Sequence, residues 1–181
     1  MAIYSLETKR ETLHGTLDKH IPPVLTIQSG DTVVFRTLEG DWRWDKPPLP
    51  ASSSGRTFVE RRMPGDRGHA RQGDGELGCT AIECPMREVR LTFELLRQPF
   101  EMLACDAPSG WITFGFHEDL TRASYEALEN MARLMERLYG FSRKEALDLS
   151  GAVVDMHVTQ IVNGVRGAHA ILPHDALFLE K

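Results

Sequence analysis

A chain of 181 residues with 21 basic and 26 acidic side chains carries a formal net charge of -5, and without a basic run or aromatic-interleaved Lys/Arg stripe it is no candidate for nucleic-acid binding. No apolar run approaches the ~20 residues a membrane helix needs. Met1-Ala2-Ile3-Tyr4-Ser5-Leu6-Glu7 lacks the apolar core of a secretory signal, and the odd set of Cys79, Cys84 and Cys105 has no zinc-ribbon spacing, so a reduced, cytoplasmic protein without membrane or nucleic-acid partners is expected.

The length suits one domain with its own core. Residues 1–181 are expected to form a single α+β unit, with an N-terminal β part over 1–38, a connecting loop over 39–67 and an α+β part over 68–181. In the first part, Val24-Leu25-Thr26-Ile27 and Thr32-Val33-Val34-Phe35-Arg36-Thr37 are β-branched runs. Gln28-Ser29-Gly30-Asp31 between them predicts a hairpin turn. From Glu39 to Gly68 the chain is polar and rich in Pro, Ser and Gly, a composition that buries too little apolar surface to order itself.

Glu88-Val89-Arg90-Leu91-Thr92-Phe93-Glu94-Leu95 alternates with period two, predicting a half-buried antiparallel strand with Val89, Leu91, Phe93 and Leu95 on one face. Ser109 to Phe116 reads as another strand. Leu120, Ala123, Ala127, Leu128, Met131, Leu134, Met135 and Leu138 then recur at spacings of three and four, the mark of an amphipathic helix. Gly140 closes that helix, and Ser142-Arg143-Lys144-Glu145 is a capping box opening a second helix that should end near Gly151. Val154, Met156, Val158, Gln160 and Val162 alternate with Asp155, His157, Thr159 and Ile161 as a last strand. The expected fold is α+β: antiparallel β strands with a C-terminal helical hairpin.

Between these elements lies Gly68-His69-Ala70-Arg71-Gln72-Gly73-Asp74-Gly75-Glu76, continuing into Gly78-Cys79-Thr80-Ala81-Ile82-Glu83. A histidine and two carboxylates among so many glycines need a backbone of tight or left-handed turns. Such a loop aims polar groups at something. The plainer reading makes Asp74-Gly75 a hairpin turn and Glu76 the start of a strand, and both readings stand.

This stretch resembles a signature of the acetamidase/formamidase family, hydrolases of small linear amides. The likeness continues through His14-Gly15-Thr16-Leu17-Asp18-Lys19-His20-Ile21-Pro22-Pro23-Val24-Leu25, Ser109-Gly110-Trp111-Ile112-Thr113-Phe114-Gly115-Phe116 and Asp155-Met156-His157-Val158-Thr159-Gln160-Ile161-Val162-Asn163-Gly164-Val165. Family members are considerably longer. Their middle, glycine-rich β segments with a Gly-Gly-Asn-x-Asp motif, has no counterpart here. The gap falls at Gly68-His69-Ala70, a tripeptide similar both to the end of the family's first segment and to the start of its last.

The resemblance implies cleavage of the carbon-nitrogen bond of formamide or acetamide, with His and Asp placed around a metal. Imidazole and carboxylate ligands suit zinc or a similar divalent ion, which polarises a carbonyl and acidifies water. His20, His69 and Asp74 are the candidate metal ligands, with Glu76 as general base. Asp18 could orient His20, whose direction Pro22-Pro23 can fix, and Gln160 is either buried and hydrogen-bonded or presented to a pocket. Asp155 and Asn163 belong to the same run. No Gly-x-Ser-x-Gly elbow offers a serine nucleophile, and Cys79 and Cys84 lack the setting of a cysteine nucleophile. His117, His157, His169 and His174 read as solvated or satisfied side chains. The alternative is a catalytically inactive, internally deleted remnant acting as a structural or interaction domain. Strand edges left open by the deletion imply a homo-oligomer.

Overall fold

The computed structural model describes residues 1–13, 19–37, 66–67, 75, 82–83 and 86–178; most of the 39–67 loop and of the glycine-rich stretch lies outside them. The chain divides into two compact units, the second beginning, among the longer described segments, at Pro99.

In the first unit, β1 (Ile3–Leu6), β2 (Asp31–Phe35) and β5 (Val89–Phe93) form a sheet in the order β1-β2-β5. Strand β1 runs parallel to β2, and β5 antiparallel to it. Two short strands, β3 (Asp66–Arg67) and β4 (Ile82–Glu83), pair separately. The turn expected at 28–31 is present. Gly30 takes φ +90° and donates its N–H to Phe93 O at 2.7 Å, while the Asp31 carboxylate accepts the N–H of Gln28 at 2.9 Å and of Ala2 at 2.6 Å. Those bonds correct the predicted hairpin. Residues 24–27 form no strand, and β2 takes β1 and β5 as neighbours, because Asp31 ties the chain's start beside β2. Strand β5 keeps its predicted alternation, with Leu91 opposite Val33 and Val89 opposite Phe35. Its apolar face is less covered than the pattern implies: Leu91 is 44% exposed, Phe93 47% and Leu95, past the strand's end, 84%.

The second unit is a four-stranded antiparallel sheet in the order β6-β7-β9-β8, with a helical hairpin. Its elements are β6 (Ala104–Ala107), β7 (Gly110–His117), α1 (Leu120–Tyr139), α2 (Arg143–Val153), β8 (Asp155–Gln160) and β9 (Arg166–Leu172). The caps predicted at Gly140 and at Ser142-Arg143-Lys144-Glu145 are in place, and Asp119 adds an N-cap to the first helix. Asp119 accepts the N–H of Arg122, Gly140 adopts φ +72°, and Ser142 and Glu145 satisfy each other's backbone N–H. Helix α2 passes Gly151 and stops two residues later, since Val154 N–H still bonds to Ser150 O. Glu129 joins the two helices through a bidentate pair with the Arg143 guanidinium, supported by Arg133.

Ala123, Ala127, Met131, Leu134 and Met135 of α1 are buried with Ala146 of α2 and Ala168, Ala170 and Leu172 of β9. Leu128, expected among them, is only partly buried. The helix sits close because the sheet beneath it is small. A Cβ on Gly115 would stand 2.1 Å from Ala123 O, and Thr113 Oγ1 donates to Ala127 O at 2.9 Å. Among the described residues no helix is long and apolar enough to cross a membrane.

Strands β1, β6 and β9 are not evident in the sequence. Strand β9 is an inner strand of its sheet and the most buried one, yet Gly167-Ala168-His169-Ala170 contains no β-branched residue. Its position is set by tertiary packing under α1, where Ala168, Ala170 and Leu172 are buried.

Candidate functional site

His69, Asp74, Glu76 and Asp18 lie outside the described residues, as do Cys79 and Cys84. Gly75, at the centre of the loop, is described. It takes φ +83°, the left-handed conformation that favours glycine. His20 lies in an exposed turn ahead of Pro22-Pro23 in the first unit, and Gln160 lies at the end of β8 in the second. Among the described residues no three His, Cys, Asp or Glu side chains come together as a metal group.

The alternation predicted along 154–162 needs one correction. Met156 lies opposite Ala170 and Val158 opposite Ala168, both on the face that α1 covers, but a bulge between Val158 and Gln160 then sets Gln160 opposite Gly167. Residues opposed across strands share a face, and Gly167 is in phase with His169. Gln160 therefore sits on the sheet's other face, away from Val158. Its Nε2 donates to Val165 O at 2.8 Å, and the side chain is partly buried. Met156 and Val158, on the edge strand, remain 43% and 38% exposed.

That face carries a polar and aromatic group. His157 is directly opposite His169, and Phe114 flanks His169 from the other side. The imidazoles of His157 and His169 stack with centroids 5.1 Å apart and planes within 12°. Thr159 Oγ1 is 2.8 Å from His169 Nδ1, and the rings of Phe114 and Phe116 lie parallel beside them. His169 is 7% exposed and His157 half-buried.

The remaining histidines match the plain reading given to them. His117 Nδ1 accepts the N–H of Asp119 at 2.8 Å, at the mouth of α1. His174 Nε2 lies 3.1 Å from Asp106 Oδ1 and 2.9 Å from Ala107 O, so that nitrogen carries a proton. Asp155 is exposed at the start of β8, and Asn163, with φ +66°, starts the turn into β9. Cys105 is a free, exposed thiol on β6. The pairing of His157 with His169 is what sequence reasoning missed: it depends on the register of a strand that the sequence does not announce.

The fold is thus α+β, with antiparallel-rich sheets and one helical hairpin. Among solved structures it is similar to the acetamidase of Bacillus halodurans, with a TM-score of 0.52 and 29% sequence identity over 58% of this chain and 36% of that one. The likeness to the acetamidase/formamidase family read from the motifs is borne out by that structure. The chain spans little more than a third of the acetamidase's length. No family model matches the chain, and no curated protein does.

Proposed function

We propose that the chain hydrolyses the carbon-nitrogen bond of small linear amides such as formamide or acetamide, releasing ammonia and the carboxylate. The observation that carries this reading is the likeness to an acetamidase at 29% identity over 58% of the chain. The left-handed Gly75 agrees with the tight backbone turn that the motif was expected to need.

His20, His69 and Asp74 would hold a divalent ion, and two imidazoles with a carboxylate are a donor set suited to zinc. When bound, the ion supplies Lewis-acid polarisation of the amide carbonyl and lowers the pKa of water. Asp18 orients the His20 ring. Glu76 takes a proton from the water that attacks the carbonyl carbon, and passes it to the nitrogen as the carbon-nitrogen bond breaks. Gln160 is the proposed polar contact of the pocket or of its supporting shell.

The test is ammonia release by the purified chain from formamide and from acetamide, before and after treatment with a chelator. Release that chelation abolishes and added zinc restores is the expected result. No release above the uncatalysed rate from either amide would overturn the reading. A second reading, a non-catalytic relative that keeps the fold alone, is favoured by the 36% share of the acetamidase that the chain matches. The same assay separates the two.

A further inference from the structure

We propose that β5 pairs edge to edge with β5 of a second copy of this chain, antiparallel about a two-fold axis at Thr92, making a symmetric dimer. Strand β5 ends its sheet: in the order β1-β2-β5, no described strand lies on its far side. The other described edges are short or interrupted. Strands β3 and β4 have two residues each and β1 and β6 four. Strand β8 carries the bulge after Val158, a feature by which edges avoid pairing. Strand β5 has neither defence. Its register with β2 runs unbroken from Val89 to Phe93, without proline. Past the strand's end, Leu95 N–H still reaches Ser29 Oγ at 2.9 Å.

The backbone phase suits this pairing. Phe93 O accepts the N–H of Gly30 at 2.7 Å, and Leu95 N–H points to the same side. Alternate residues of an antiparallel strand turn their N–H and C=O groups to opposite sides, so Arg90, Thr92 and Glu94 turn theirs to the open edge. Charge then selects the register. With the axis at Thr92, Arg90 lies opposite Glu94 of the second copy, and symmetry makes the pair occur twice. Moving the axis to Leu91 sets Glu88 against Glu94, and moving it to Arg90 sets the two arginines against each other. Like charges directly opposed destabilise a sheet. An axis at Phe93 leaves Arg90 opposite Leu96, with no ion pair. Within its own copy Arg90 lies 3.6 Å from Glu88, and a guanidinium with five donors serves both carboxylates. The same register covers the strand's exposed apolar residues, since Leu91 meets Phe93 of the second copy and Val89 meets Leu95. The dimer is independent of the residues proposed for amide hydrolysis, and its test does not depend on activity.

Sedimentation equilibrium of the full-length chain is the experiment, with Arg90→Glu and Glu94→Arg run separately and as an equimolar mixture. The natural chain should form a dimer. Each single reversal opposes like charges twice and should weaken the dimer by about ten-fold or more, while the mixture should associate within about three-fold of the natural affinity. In the mixture both crossed pairs are again opposite in sign, so recovery there separates a charge contact from damage to the fold. Amide exchange gives a readout that needs no variant: Thr92 N–H should exchange more slowly where the dimer forms than at dilutions where the monomer does. A natural chain that stays monomeric would overturn the proposal. So would a dimer that ignores both reversals, which would use another surface, or a mixture that associates no better than either variant alone.

Discussion

Asp31 shows how one side chain places a strand. The backbone N–H groups of Ala2 and then Gln28 hold its carboxyl below the ordinary carboxylate range, because each donates to the charged form. With the folded value below the unfolded one, the stabilisation is fully present above the ordinary aspartate pKa of about 3.9 and is lost as pH falls through the lower, folded value. Acidification through that window should release β1 from β2 first. Asp31→Asn should give faster amide exchange at residues 3–6 at neutral pH, with little further change on acidification; exchange that tracks the natural protein at every pH would mean the carboxylate does not anchor the strand. Gly115 acts in the opposite way, by leaving space. Gly115→Ala should push α1 off the sheet and cost at least the ~1–3 kcal/mol typical of overpacking, since its Cβ would meet backbone atoms of α1 and not a flexible side-chain end. Thermal unfolding reads that cost directly. At this scale the capping box of the second helix is legible in the sequence, because Ser142 and Glu145 act on N–H groups within three residues of themselves. His157 and His169 are not, because their meeting depends on pairing between strands.

Among the elements, the helical hairpin is the part the sequence specifies most fully. Its apolar positions recur with the helical period, and the caps agree with it. Leu134 is wholly buried, so Leu134→Ala should lower unfolding free energy by ~2 to 5 kcal/mol; a loss within about 0.5 kcal/mol, the usual range for surface positions, would place it outside the core. Ser142→Ala removes one half of the capping box and should cost about 1 kcal/mol, measured by the same denaturant titration. The strands are legible where they carry β-branched runs or alternating apolar residues, as β2, β5, β7 and β8 do. Strand β9 has glycine, alanine and histidine over residues 167–170 and only one β-branched residue, Ile171, and β1 is four residues held by the Asp31 anchor. Neither has a local signal. The bulge in β8 likewise turns Gln160 to a face that simple alternation does not assign it.

For the whole molecule, the α+β class and the likeness to an acetamidase are legible in short motifs of a chain that matches 36% of that protein. Their loop residues fall mostly outside the described structure, so the family likeness reaches further than the geometry of the site. The edge position of β8 and the part-exposed apolar faces of β5 and β8 lead us to expect self-association. Sedimentation should give a species heavier than the 20.4 kDa chain, and a monomer at all concentrations would contradict that. The claim that most needs testing is that the Gln72-Gly73-Asp74-Gly75-Glu76 loop performs amide hydrolysis. The rate of ammonia release from formamide should be measured for Glu76→Gln beside the natural chain, at equal zinc content. The account predicts release by the natural chain and its loss in Glu76→Gln with zinc retained; equal rates in the two proteins, or none in either, would contradict it.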